Sequence, residues 1–216
     1  MSIEANRAFE NLAREATKCR RCFTCREVSA PDIDVAQPRW VGPRYWESPC
    51  RVAILMINPG RSPSGSAKAR AFLVQIRAFR DGAPTLRRIL DGQREAMESW
   101  AHGRFRGFYI DGLGLQFEDL AFANVAWCAT ANNSYPRTML DRCFELHTGP
   151  LLSILRPTVV LASGSRAHDF GEKVRAIWPQ ATVIKMMHYA HRKGRAAEQR
   201  ELTRVRSELR TARAER

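Results

Sequence analysis

Four short apolar runs, spread along the chain and separated by helical stretches, constrain this sequence more than any other feature. RVAILMIN (51–58), LAFANVAWC (120–128), TVVLAS (158–163) and ATVIKMM (181–187) read as buried strands, the first stopped by an Asn-Pro-Gly turn. Helical periodicity covers 66–80, 84–101, 138–155 and 165–177, with a helix over 4–18 before the first strand and a last one beginning near 195. Apolar strands alternating with helices describe a parallel sheet covered on both faces. The expected fold is a three-layer α/β/α sandwich around a central four-stranded parallel sheet, formed by 216 residues as one domain. An N-terminal helix and cysteine cluster (1–28) and a basic C-terminal helix (195–216) are parts of it. Such sheets bind ligands beyond the carboxyl ends of their strands. That rule singles out Asn58, the stretch Asn124 to Cys128, Gly164 to Arg166, and His188.

Charge narrows the partner. Lys and Arg number 35 against 22 acids, a net charge of +13, and a field of that size captures polyanions. Much of it lies in HRKGRAAEQRELTRVRSELRTARAER, which reads equally as a nucleic-acid contact or a solvated helix with internal ion pairs. A hydrophobic fraction of 44% excludes a disordered chain, and no run reaches the length of a membrane helix. The opening MSIEANRAFENLAREA lacks the apolar core of a secretory signal, so the expected location is cytoplasmic. In a reducing cytosol the six cysteines, Cys19, Cys22, Cys25, Cys50, Cys128 and Cys143, point to metal before disulfides. Four thiolates suit a [4Fe–4S] cluster; zinc is the alternative, and buried free thiols are the plain structural reading.

The motifs in order resemble the uracil-DNA glycosylase superfamily. MINPG (56–60) looks like the first catalytic motif of its mismatch-specific branch. ANVAWCATANNSYPR (123–137) and LLSILRPTVVLASGSRA (151–167) are similar to the strand–loop and helix–strand–glycine units of its iron–sulfur branch. MMHYAH (186–191) sits where the superfamily places its second-motif histidine. The resemblance spans about residues 6–195. Two departures stand out: INPG replaces the iron–sulfur branch's Glu-containing first motif, and Tyr189 replaces the proline after the histidine.

The resemblance implies a monofunctional glycosylase that removes uracil, or a related deaminated base, and leaves an abasic site. It places Asn58 as the residue that positions water, His188 as the donor to uracil O2, and Asn124 as the amide facing the base edge. Phe72, or Phe79 in its stead, would stack on the base. Ser62, Ser64, Ser163, Gly164 and Ser165 offer small groups to phosphates, and His191, Arg192 and Lys193 form the loop that would enter the duplex. Cys19, Cys22, Cys128 and Cys143 would hold the cluster, although Cys22 and Cys25 also make a CxxC pair; Cys50 lies outside the pattern. The implied partner is uracil-containing DNA, single- or double-stranded, bound by a monomer with no membrane association. A module that binds uracil-DNA or abasic DNA with little turnover is the other reading.

Overall fold

A computed structural model describes residues 2–22, 35–59, 67–83, 86–130, 133–191 and 194–214. Its centre is one sheet of β1 (Val52–Met56), β2 (Leu120–Asn124), β3 (Val159–Ser163) and β4 (Thr182–Met186), in the order β2-β1-β3-β4. Every pairing is parallel. All residues of β1, β2 and β3 are buried, as strands covered on both faces must be, whereas β4 exposes Thr182 and Lys185 at the sheet's edge. This is the expected α/β architecture.

The connections set where a ligand can bind. Through α2 (Ala67–Arg80), α3 (Leu86–Ser99) and α4 (Arg104–Arg106) the chain passes from β1 to β2. It then returns across β1 to β3 through α5 (Arg137–Cys143) and α6 (Gly149–Leu155), and reaches β4 through α7 (Ser165–His168) and α8 (Gly171–Ile177). Right-handed crossovers running in opposite directions put their helices on opposite faces. In sheets of this kind a ligand binds at such a reversal, here between the carboxyl ends of β1 and β3.

Two helices close the ends. α1 (Ser2–Lys18) buries Phe9, Ala13 and Ala16, and its Arg14 lies 4.1 Å over the Phe79 ring while donating to the Phe79 carbonyl. α9 (Arg195–Ala214) packs beside β4 and buries Leu202, Val205, Leu209 and Ala212 at helical spacing. Each leucine so buried contributes roughly 1.5–3 kcal/mol. Among the described residues no helix is long and apolar enough to cross a membrane.

Three local features differ from the sequence reading. The expected 138–155 helix contains a π-helical stretch, Phe144–Thr148, between α5 and α6. Pro150 follows it; a proline there has no N–H for the preceding turn, and the wider turn accommodates its ring. The expected 165–177 helix is broken between His168 and Gly171. Finally, part of the irregular segment before β1 is a strip along the outer edge of β2. Gly42 and Phe122 donate to Leu120 and Trp40 across it, each at 2.8 Å, and Val41 bridges Ala121 antiparallel. Only glycine fits at 42, because a Cβ would stand 2.1 Å from the Glu118 carbonyl oxygen.

Candidate functional site

Sheet register brings the polar strand ends to one edge. Asn124 is the last residue of β2, opposite Met56 of β1, and Asn58 lies two residues past Met56. Met186 of β4 is opposite Ser163 of β3, and His188 lies two residues past Met186. Gly164 follows β3 with φ +92°, and a Cβ on it would come within 3.3 Å of the His188 Cβ. The crevice between β1 and β3 therefore has Asn58 and Asn124 on one side and His188 on the other.

Asn58 is half-buried and held by its nitrogen. Nδ2 donates to Asn133 Oδ1 at 2.7 Å and to the Tyr135 hydroxyl at 3.0 Å. Both amide hydrogens are thus committed, which leaves Oδ1 as a hydrogen-bond acceptor. Asn133 adopts a left-handed conformation (φ 52°), which asparagine tolerates better than most residues. The loop carrying it is braced by Thr130, whose hydroxyl donates to Ser134 O at 2.9 Å, and by Arg166, which donates to the Tyr135 carbonyl. Burial raises the Tyr135 phenol above its usual pKa, so it is a neutral hydroxyl, although Thr130, Asn58 and Arg39 oppose the shift.

Asn124 is fully buried. A guanidinium has only donors, so the Asn124 oxygen must face Arg39. Oδ1 then accepts from Arg39 Nε at 2.6 Å and Nη2 at 3.3 Å, and Nδ2 donates to the Ala123 carbonyl at 3.2 Å. Arg39 is itself only 4% exposed and also donates to Gln37 Oε1 at 3.4 Å. Burial draws its pKa down to about 10, so it stays cationic at neutral pH. No carboxylate among the described residues pairs with it. Gln37 adds a buried Nε2 with no hydrogen-bond partner among the described residues. Below the backbone, the Thr148 hydroxyl donates to Asn124 O at 2.6 Å and accepts from Trp127 Nε1 at 3.1 Å.

His188 is half-buried, and its ring lies 4.4 Å from that of Tyr189. Burial, helped by the nearby His191, lowers its pKa and keeps the imidazole neutral. Nδ1 accepts from the Ala190 N–H at 3.2 Å, so the proton of the neutral ring sits on Nε2, which is a donor. The turn closes with the His191 amide donating to the His188 carbonyl at 2.8 Å. Ser163 faces inward: its hydroxyl is 2.5 Å from the Tyr109 hydroxyl and donates to the Met187 carbonyl at 3.2 Å. These bonds anchor the start of the histidine loop and remove Ser163 from the groups open to a phosphate.

The remaining expected residues divide three ways. Phe72 is half-buried on α2 against the core, and Phe79 is wholly core. Ser165, at the start of α7, and His191 are exposed. Ser62, Ser64, Arg192, Lys193 and Cys25 lie outside the described residues.

The other four cysteines of the expected cluster interact. Cys22 and Cys128 share a hydrogen bond that, with the Arg142 charge nearby, favours the Cys22 thiolate against its burial. The Cys128 thiol is pushed up by that bond and by burial, with Cys143, Cys22 and Cys19 all adding to the rise. Burial pushes Cys143 up to about 12, although its sulfur accepts the Trp127 N–H at 3.2 Å. Among the described residues no three His, Cys, Asp or Glu side chains stand as a formed metal-ligand set. Cys22 and Cys128 are instead hydrogen-bonded to each other, with Cys19 and Cys143 near enough to raise the Cys128 thiol, and thiols of this kind are ligands for a soft metal. Beside Cys19 is a cleft of about 600 Å³ lined also by Lys18, Arg20, Arg21 and His147. It is separate from the strand-end crevice. Cys50 is half-buried against the core.

The sequence matches no protein-family model and no curated protein.

Proposed function

We propose that this protein is a monofunctional DNA glycosylase that hydrolyses the N-glycosidic bond of uracil, or a related deaminated base, in DNA. The observation that carries the reading is the meeting of Asn58, Asn124 and His188 at one edge of the sheet, in complementary hydrogen-bonding states.

Cleaving the bond sends its electron pair to the base and leaves an oxocarbenium-like sugar. Water then adds at C1′ and releases a proton, and the base anion takes one up. The sugar cation is so electrophilic that orienting a neutral water can suffice. Asn58 Oδ1, free because Nδ2 is committed, suits that role by accepting a water hydrogen. The Nε2–H of neutral His188 suits donation to the carbonyl oxygen where charge gathers on the departing base. Asn124 reads the edge of a flipped-out base, and a mismatched edge would leave buried polar groups unpaired. Asn124 is fully covered, so reading a base there requires the groups over it to be displaced. The net charge of +13 supports capture of DNA.

Cys19, Cys22, Cys128 and Cys143 are the residues that would hold a [4Fe–4S] cluster, with zinc as the alternative. Bound there, it would serve structure, tying the end of α1 to the stretch between β2 and α5. Brown protein absorbing near 400 nm is expected; a colourless, zinc-loaded protein would remove the iron–sulfur part of the proposal.

The burial of Asn124 is the observation that favours the second reading, a module that binds uracil-DNA or abasic DNA without efficient turnover. A single-turnover reaction on a uracil-containing oligonucleotide, followed by alkali cleavage, separates the two. Strand cleavage at the uracil is expected; tight binding with no released base would favour the module.

A further inference from the structure

Arg39 is a buried cation that the proposed reaction does not yet use. Burying an unpaired charge is costly, and buried cations are ordinarily matched by a carboxylate or another anion. Here the partners are two amide oxygens, those of Asn124 and Gln37. Among the described residues the cluster holds more donors than acceptors: a guanidinium, the second hydrogen of Asn124 Nδ2, and the Nε2 of Gln37, which has no partner there. A ligand that satisfies it must bring acceptors.

We propose that Arg39 is a specificity-determining residue. By holding the Asn124 carboxamide oxygen, it makes the amide meet a flipped base as a donor to a ring carbonyl and stops it turning over to accept an exocyclic amine. The inference rests on the glycosylase reading and deepens it. Uracil presents a carbonyl oxygen and an N–H along its pairing edge, while cytosine presents an amine and a bare ring nitrogen. Pairing with cytosine needs the carboxamide rotated by half a turn. Rotation would drive the Nδ2 hydrogens against the Nε–H of Arg39, donor against donor in a buried site. Hypoxanthine and xanthine also carry a carbonyl where their parent bases carry an amine. The cluster is therefore matched to deaminated bases as a class, and Arg39 acts through Asn124 as a positioning residue.

The test compares single-turnover release of uracil and of cytosine from otherwise identical single strands by wild type, Arg39→Lys and Arg39→Met. Arg39→Met removes the buried charge with little change of volume, an exchange that folded proteins commonly tolerate. The uracil-to-cytosine rate ratio is expected to fall by a factor of about 10 to 100 in Arg39→Met. Affinity for the uracil strand should stay within about threefold of wild type, a split that loss of folding would not produce. Arg39→Lys keeps the charge but not the fork and should lie between the two. An unchanged ratio in folded Arg39→Met overturns the proposal while leaving the glycosylase reading intact. A wild type that releases no base at all overturns that reading, and the proposal with it.

Stability supplies a second measurement should Arg39→Met fail to fold. Asn124→Asp gives Arg39 a carboxylate in place of the amide oxygen, so its melting temperature at pH 7 should exceed that of wild type. The new carboxylate's folded pKa would be depressed, so the gain is present above its unfolded pKa and lost as the pH falls through the folded one. A melting temperature below that of wild type at pH 7 would overturn the contact on which the proposal stands.

Discussion

Both hydrogens of the Asn58 carboxamide are committed to Asn133 and Tyr135, and this fixes which end of the amide is offered to the crevice. Asn58→Ala should slow single-turnover excision about 100-fold or more, as removal of one transition-state hydrogen-bonding group does elsewhere. DNA affinity, measured by anisotropy, should stay within about threefold; untouched activity would remove Asn58 from the site. On the proposed mechanism, His188 would set the pH dependence. Its folded pKa lies below the ordinary value of about 6.5, so the neutral donor persists past that pH on acidification and is lost only at the lowered value. The acid limb of kcat/KM should accordingly fall below about pH 6.5. A limb at or above that value would show that the imidazole is not the buried, neutral group described. The positions of Asn58 and His188 at strand ends were legible in the sequence because each ends or follows an apolar run, whereas Asn124 lay inside the run expected to reach 128. Arg39 was not legible. A lone arginine in a proline- and tryptophan-rich stretch reads as exposed, and only pairing of that stretch with β2 carries its side chain inward.

Elements were more legible than their boundaries. The four strands were readable because complete burial makes each an unbroken apolar run. β2 nevertheless ends at Asn124, short of the expected 128, although the Val125 and Ala126 amides still donate to Met56 and Ile57. The helical turns over 104–111 were missed because Gly103 and Gly107 read as breakers. Burial of Phe105, Phe108 and Tyr109 overrides that local preference. Pro150 explains the π turn that a uniform helical period could not register. The junction between β3 and α7 carries a prediction of its own. Gly164 has φ 92° and ψ 152°, a region essentially confined to glycine and costing other residues roughly 1–3 kcal/mol, and an added Cβ would press on His188. Gly164→Ala should lower stability by about that amount and reduce kcat more than it raises KM. A stability loss with unchanged kcat would mean that the glycine serves the fold alone.

Across the whole molecule, charge and topology act on the same event. On the proposed function, a chain with 35 basic residues and 22 acidic ones would meet DNA by counterion release, and its binding should weaken steeply with salt. Raising salt from about 50 to about 200 mM should weaken affinity for a non-specific duplex roughly tenfold or more. A flat response would assign the charge to solvated helices such as α9, where Arg204 is already paired with Glu201 and Glu208. On the same proposal, the order β2-β1-β3-β4 sets where DNA would be acted on, at the reversal between the carboxyl ends of β1 and β3. The most direct test is the amount of free base released from a panel of single- and double-stranded oligonucleotides carrying uracil, hypoxanthine, xanthine or only the normal bases. Release from at least one deaminated base and none from the normal ones is expected, with an alkali-labile abasic site left in the strand. Strands that stay intact throughout the panel, under conditions where the protein binds them, would contradict a base-excision function for this site.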